Sequence, residues 1–219
     1  MDAYPRGVGI ELHADILGIL ITLVVLGVGL IVSVYSKLPV QEETPGKEPL
    51  FYTLFLLQVT GLAGICLTGD AFNLYVLIEV AALTGYGLIA MGSNRAAAAT
   101  FNYVMLGTIG ASFYLLGVGY LYIKTGTLNM VGIHDVIEAN GLADSATMQV
   151  AFVLIGMGIL IKMAFFPFHA WLPTADCNAP TATSSLLAPL VTKVMIYVMI
   201  RMVLSVFGVE FSFESTMWT

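Results

Sequence analysis

Six apolar runs of about twenty residues each, separated by short polar breaks, decide what this chain can become. They lie near Ile16 to Ser36, Leu50 to Thr68, Ala71 to Met91, Ala98 to Ile123, Val150 to Leu172 and Thr183 to Phe207. A run of that length crosses a bilayer as a helix, because a helix satisfies its own backbone groups where no water is available. The sequence therefore predicts an all-α fold, a polytopic membrane helix bundle of about six transmembrane helices with one of them broken. One membrane domain over 16–207 is expected, with a polar N-terminal segment at 1–15 and a short tail at 208–219. Only 10% of the residues are charged, whereas a soluble domain carries about 25%.

Several functions are excluded by the same reading. The net charge is −6 with 8 basic residues in all, too few for a phosphate-binding surface, so no nucleic acid is expected as a partner. The start has no short apolar core followed by a small-residue cleavage site, so the first spanning helix is expected to direct insertion itself. Cys66 and Cys177 are isolated and read as small packing residues, without metal-ligand spacing. There is no Gly-rich phosphate loop, haem histidine pair or cysteine cluster, so neither cofactor nor metal is expected. Lys37, Lys47 and Arg95 fall on one side of the membrane and Arg6 and Lys124 on the other, which places both termini outside the cytoplasm. The localisation expected is the cell membrane, multi-pass.

Charge inside the spans carries the functional signal. Glu79 sits in the third run, Lys162 in the fifth and Lys193 in the sixth, at a depth where a charge costs about 2.5–3.5 kcal/mol unless compensated. Pro167 cannot donate to the carbonyl of Met163 and its ring crowds that turn, so the fifth helix is expected to break just beyond Lys162. Broken helices at membrane depth occur where freed backbone faces protein or a wet cavity. The alternative is a packing kink with Lys162 snorkelling to an interface. His169 follows Lys162 by seven residues and shares its face only if the helix continues.

In the third run Tyr75, Glu79 and Tyr86 align on one face, with Gly85 and Gly87 permitting close approach, and Lys162 is the expected partner of Glu79. In the sixth, Lys193, Tyr197 and Arg201 recur at helical spacing and form a polar lane extended by Ser185 and Pro189; otherwise Arg201 lies at the headgroups and Lys193 alone is anomalous. Asn102, Thr108 and Ser112 of the fourth run either join such a pathway or bond between helices, and its glycines, Gly107 and Gly110 among them, allow tight packing. The linker from Lys37 to Glu48, rich in proline and acid, is expected to be non-helical and solvated. Val131 to Glu138 suits a short interfacial helix, with His134 a solvated loop residue.

Three motifs in order carry a family resemblance. Asn-Leu-Tyr-Val-Leu-Ile-Glu-Val at 73–80 with Tyr-Gly-Leu-Ile at 86–89 resembles the glutamate-bearing helix of the antiporter-like proton-pumping subunits of complex I, Mrp-type sodium/proton antiporters and membrane-bound hydrogenases. Phe-Pro-Phe-His-Ala-Trp-Leu-Pro at 166–173 resembles their broken helix. Ala-Pro-Thr-Ala-Thr-Ser-Ser-Leu-Leu-Ala at 179–188 with Thr-Lys-Val-Met-Ile-Tyr at 192–197 resembles the helix after it, and Lys-Met-Ala-Phe-Phe-Pro looks closer to the Mrp and hydrogenase branch.

The resemblance covers only the third through eighth helices of a subunit with about fourteen, that is, the first five-helix repeat plus one preceding helix. By position it implies that Glu79, Lys162 and Lys193 form a proton relay with His169 beside it, lining one half-channel. Other membrane subunits would then supply the missing antiporter half, with small Mrp-type subunits and the lipid bilayer as further partners. No redox chemistry of its own is implied, and the driving energy comes either from a redox module of a complex-I-like or hydrogenase-type oxidoreductase or from a sodium gradient. The contrasting reading is a structural scaffold, a truncated antiporter-like relic without its own transport. A stand-alone solute transporter is a third reading, which would require six helices without a repeat to dimerise.

Overall fold

The computed structural model describes residues 9–92 and 95–209; Arg6 and most of the expected tail lie outside the described residues. Helix starts follow side-chain chemistry. The Asp15 carboxylate accepts from the Gly18 N–H to open α1 (Ile16–Tyr35), and Asp70 does the same for Asn73 at the start of α4 (Ala71–Ala90). Ser145 accepts from Met148 to open α7 (Ala146–Lys162). Each satisfies a backbone donor that the first turn of a helix leaves free. Between them lie α2 (Lys37–Glu43), α3 (Glu48–Leu67), α5 (Ala96–Thr125) and α6 (Met130–Ala139). Gly126, at φ 70°, turns the chain out of α5 in the left-handed conformation that glycine adopts without cost.

Five helices are long and apolar enough to cross a membrane: α1, α3, α4, α5 and the rod Thr181–Val206. The remaining expected span is divided. Its apolar helix α7 stops after 17 residues, and a separate helix α8 (Trp171–Asn178) follows the break. The last rod is itself irregular, passing from α9 (Thr181–Leu186) through a π turn at Leu187–Val191 into α10 (Thr192–Ile200) and a second π turn at Arg201–Val206. Pro189 lies inside the first π turn and has no N–H to close the regular ladder, which lets the turn widen there.

Two expectations need correction. The linker is helical over Lys37–Glu43 and buries Val40 completely, because Pro39 falls in the first turn, where its missing N–H has no helical partner to lose. His134 stands on α6 rather than in a loop, half-buried and 3.8 Å from Glu138 one turn on.

Close packing follows the glycines. A Cβ built at Gly158 of α7 would lie 2.6 Å from the Gly110 carbonyl oxygen of α5, and one at Gly110 would lie 3.1 Å from the Gly158 oxygen. The two backbones therefore touch, as small residues permit in membrane bundles. Gly61 on α3 faces Ala81 on α4 in the same way. At one end, isolated antiparallel bridges join Leu12 to Thr68 and Asp70 to Asn129, and Asn129 Nδ2 donates to Glu11 at 2.6 Å. The outward residues of α1, including Leu23, Leu30 and Ile31, present apolar side chains to the surroundings, as a bilayer-facing helix must.

Candidate functional site

The Gly110–Gly158 crossing sets the site. One turn beyond Gly158 stands Lys162, the last residue of α7, and one turn before Gly110 on antiparallel α5 stands Gly107. The crossing thus delivers the lysine head against the bare backbone of Gly107, where a Cβ would lie 3.6 Å from Nζ. Lys162 is 5% exposed, and its Nζ donates to Glu79 Oε1 of α4 at 2.8 Å, the carboxylate being 25% exposed. This is the pairing expected between the third and fifth runs. The negative end of the α7 helix dipole adds a second attraction for the cation.

The break after Lys162 has a defined chemistry. Ala164 takes a left-handed conformation, φ 55°, while its N–H bonds the Ile161 oxygen and the Phe165 N–H bonds the Leu160 oxygen. That pattern is a Schellman cap with alanine where glycine is usual. The helix therefore ends before the proline that was expected to break it. Trp171 Nε1 donates to the same Ile161 oxygen at 3.0 Å, and its ring stacks on Tyr103 of α5 at 4.0 Å. Ala164→Gly is expected to raise thermal stability by about 1 kcal/mol by relieving the left-handed strain, measured as an upward shift in the melting temperature of the detergent-purified chain.

Two cavities of about 10 Å³ each, the size that holds one water molecule, flank Lys162. Both share Ile78, Met195 and Lys162, one reaching Tyr75 and Tyr114 and the other Tyr103 and Val191. Met195 and Val191 bring the last rod to the lysine beside its first π turn.

The other expected residues are not gathered here. His169 is exposed and packs against Phe166, 5.7 Å between ring centres, because the helix that would have put it on the face of Lys162 has ended. Lys193 points outward, exposed, and donates to the Ala188 oxygen at 2.9 Å, a carbonyl within the widened turn. The polar lane of the last rod is therefore divided. Tyr197 is buried and donates to the Cys66 oxygen at 2.9 Å, and Arg201 donates to the Tyr197 hydroxyl and to Asp15 Oδ1 at 3.3 Å. Arg201 is thus tied to the start of α1. Thr108 and Ser112 bond back to carbonyls of their own helix, neither bridging helices nor entering the site. Cys66 is buried as expected, whereas Cys177 is exposed.

Residues to which the sequence reading gave no role complete the surroundings, Trp171 from within the 166–173 motif among them. Tyr103, Tyr114 and Trp171 are fully or nearly buried around Lys162, and Thr84 Oγ1 donates to the buried Gln58 Oε1 at 2.6 Å. Tyr103 and Gly107 lie one turn apart on α5, a spacing that is visible in the sequence.

Residues 68–218 match the model of the NADH:quinone oxidoreductase/Mrp antiporter transmembrane family. The chain belongs to that family. An NADH-quinone oxidoreductase subunit of the N type from Desulforudis audaxviator is 43% identical over 92% of this chain and 40% of that protein. A probable K(+)/H(+) antiporter subunit of Rhizobium meliloti is 34% identical over 94% of this chain and 37% of its own length. Among solved structures, an archaeal respiratory complex, the membrane-bound sulfane sulfur reductase, contains a chain 32% identical, with a TM-score of 0.80, covering 91% of this chain and 40% of that one. Identity is thus higher to this oxidoreductase subunit than to this antiporter subunit. The chain spans about two fifths of these family members. It is a multi-pass membrane protein of the antiporter-like family.

Proposed function

We propose that this chain supplies one half-channel of a proton, or proton and sodium, translocating subunit in the cell membrane, with Glu79 and Lys162 as its ion-handling pair. The observation that carries the reading is the buried Lys162 ammonium held 2.8 Å from Glu79 between two water-sized cavities. Two unit charges about 4 Å apart in an effective dielectric near 20 attract by about 4 kcal/mol. One charge crossing 100 mV gains or loses about 2.3 kcal/mol. Opening the pair moves the ammonium across only part of the membrane and draws only part of that energy, so a charge moving in a neighbouring subunit supplies the rest of what tips the pair between closed and open. With the pair open, Lys162 passes its proton on; when it closes, the site is reloaded.

Lys193 is the outward station of this relay, and His169 stands beside the path at the broken helix. An exposed lysine in a 26-residue apolar rod needs a polypeptide rather than lipid against it. Neighbouring subunits meet that need and provide the complementary half-channel, with small Mrp-type subunits around them. The driving force is a partner's redox reaction or a sodium gradient.

The test is ion-driven pH change in vesicles carrying the chain with its neighbouring subunits. Glu79→Gln keeps the shape and one acceptor but removes the charge, and is expected to slow transport at least about tenfold, since roughly 1.4 kcal/mol of lost attraction suffices for that factor. Lys193→Ala is expected to lose transport with the complex intact. Complexes that fall apart in both variants would identify the chain as a scaffold instead.

A further inference from the structure

Tyr86 stands on α4, two turns after Glu79, with its ring 4.6 Å from that of Tyr103 in an edge-on contact. It is buried, and its hydroxyl has no hydrogen-bond partner among the described residues. That oxygen lies against Gly107 so closely that a Cβ there would overlap it, and the same Cβ position is 3.6 Å from Lys162 Nζ. The phenol oxygen and the ammonium thus share the small space left by one missing methyl group. A buried hydroxyl without a partner costs free energy, and packing alone would be served as well by phenylalanine.

We infer that the Tyr86 hydroxyl is the second seat of the Lys162 side chain, the group that receives the amine when it leaves Glu79. The inference rests on the reading of Glu79 and Lys162 as an opening pair. Chemistry fits the two seats to different states. A carboxylate only accepts hydrogen bonds and holds the ammonium by charge, whereas a phenol both accepts and donates. Its oxygen takes an N–H of the ammonium, and its O–H turns to the lone pair of the amine once the proton has gone. Tyr86 therefore keeps Lys162 partnered on either side of proton release, as a positioning residue. Gly107 is small because both atoms must pass over it. The ionisable groups facing this space are Glu79 from α4, Tyr103 from α5 and Lys162 from α7, with Tyr75 and Tyr114 bordering the lysine's other side.

The experiment uses vesicles carrying the chain in its assembled complex and compares transport across pH for the wild type, Tyr86→Phe, Gly107→Ala, their double variant and Lys162→Ala. Tyr86→Phe is expected to assemble normally, to lose about tenfold in rate, as one hydrogen bond to a charged group is worth, and to move the pH profile. Gly107→Ala is expected to cost a similar factor beside tyrosine and little beside phenylalanine, where no oxygen is left to displace. An unchanged rate and pH profile in Tyr86→Phe, with transport lost in Lys162→Ala, would overturn the second seat alone. Failure of Tyr86→Phe to assemble would also overturn it, by making the hydroxyl structural. Wild-type transport in Lys162→Ala would remove the functional reading and this inference with it.

Discussion

Lys162→Ala is expected to abolish ion movement, with a loss of about a hundredfold or more, while the protein still reaches the membrane and joins its complex. The size follows from the position. Among the described residues, Lys162 is the one group that pairs with Glu79, borders both small cavities and abuts Gly107, so no neighbour can stand in for it. Removing one partner of an ion pair is costly where the other charge is left stranded in the interior, and the Glu79 carboxylate, 25% exposed, is not fully enclosed. The helix that carries Lys162 is held by the Gly110–Gly158 crossing and the Trp171–Ile161 bond, neither of which uses the amine. Lys162→Met separates the two roles further: it keeps the stem's packing and removes only the charge, and it should be equally silent. The measurements are ion-driven pH change in vesicles and native-gel analysis of the complex. Transport at the wild-type rate in either variant would reject the assigned role.

Gly158→Val should have the largest structural effect. A Cβ at that position would lie 2.6 Å from the Gly110 oxygen and 2.8 Å from the Tyr114 nitrogen, both backbone atoms of a long helix that cannot step aside locally. α5 and α7 must separate, which undoes packing along the contact and withdraws Lys162 from Glu79. Overpacking of this kind costs about 1–3 kcal/mol or more, a large part of a total stability of about 5–15 kcal/mol. Folded yield and melting temperature in detergent should fall sharply. Gly156, two residues earlier, has nothing within 4 Å of a built Cβ; Gly156→Ala is the matched control and should leave both unchanged or slightly improved. Equal effects at the two glycines would show that the crossing does not hold the bundle.

Much of this arrangement was legible because the bilayer imposes simple rules. Run length gave the long helices, and the cost of a charge at depth singled out Glu79 and Lys162 as mutual partners. What escaped was direction. Lys193 and Tyr197 share a helical spacing and both lie in the regular helix α10, beyond the π turn at Leu187–Val191, yet Lys193 is exposed with its amine turned back to the Ala188 oxygen while Tyr197 is buried against Cys66. His169 was placed by assuming a helix that Ala164 had already ended. Pro39 read as a breaker because the residue alone does not say which turn it occupies. The spaces between helices were also unreadable, since a void depends on three or more partners at once. Tyr103 and Trp171 are aromatic residues like any other until they stack.

The tie between Arg201 and Asp15 joins residues 186 positions apart. During synthesis the first helix enters the membrane long before its arginine exists, and it must wait there, held by its neighbours alone, until nearly the whole described chain has left the ribosome. Completion of the rod Thr181–Val206 then ties it to the start of α1. A chain cut short of Arg201 would therefore leave the opening turn of α1 without this latch.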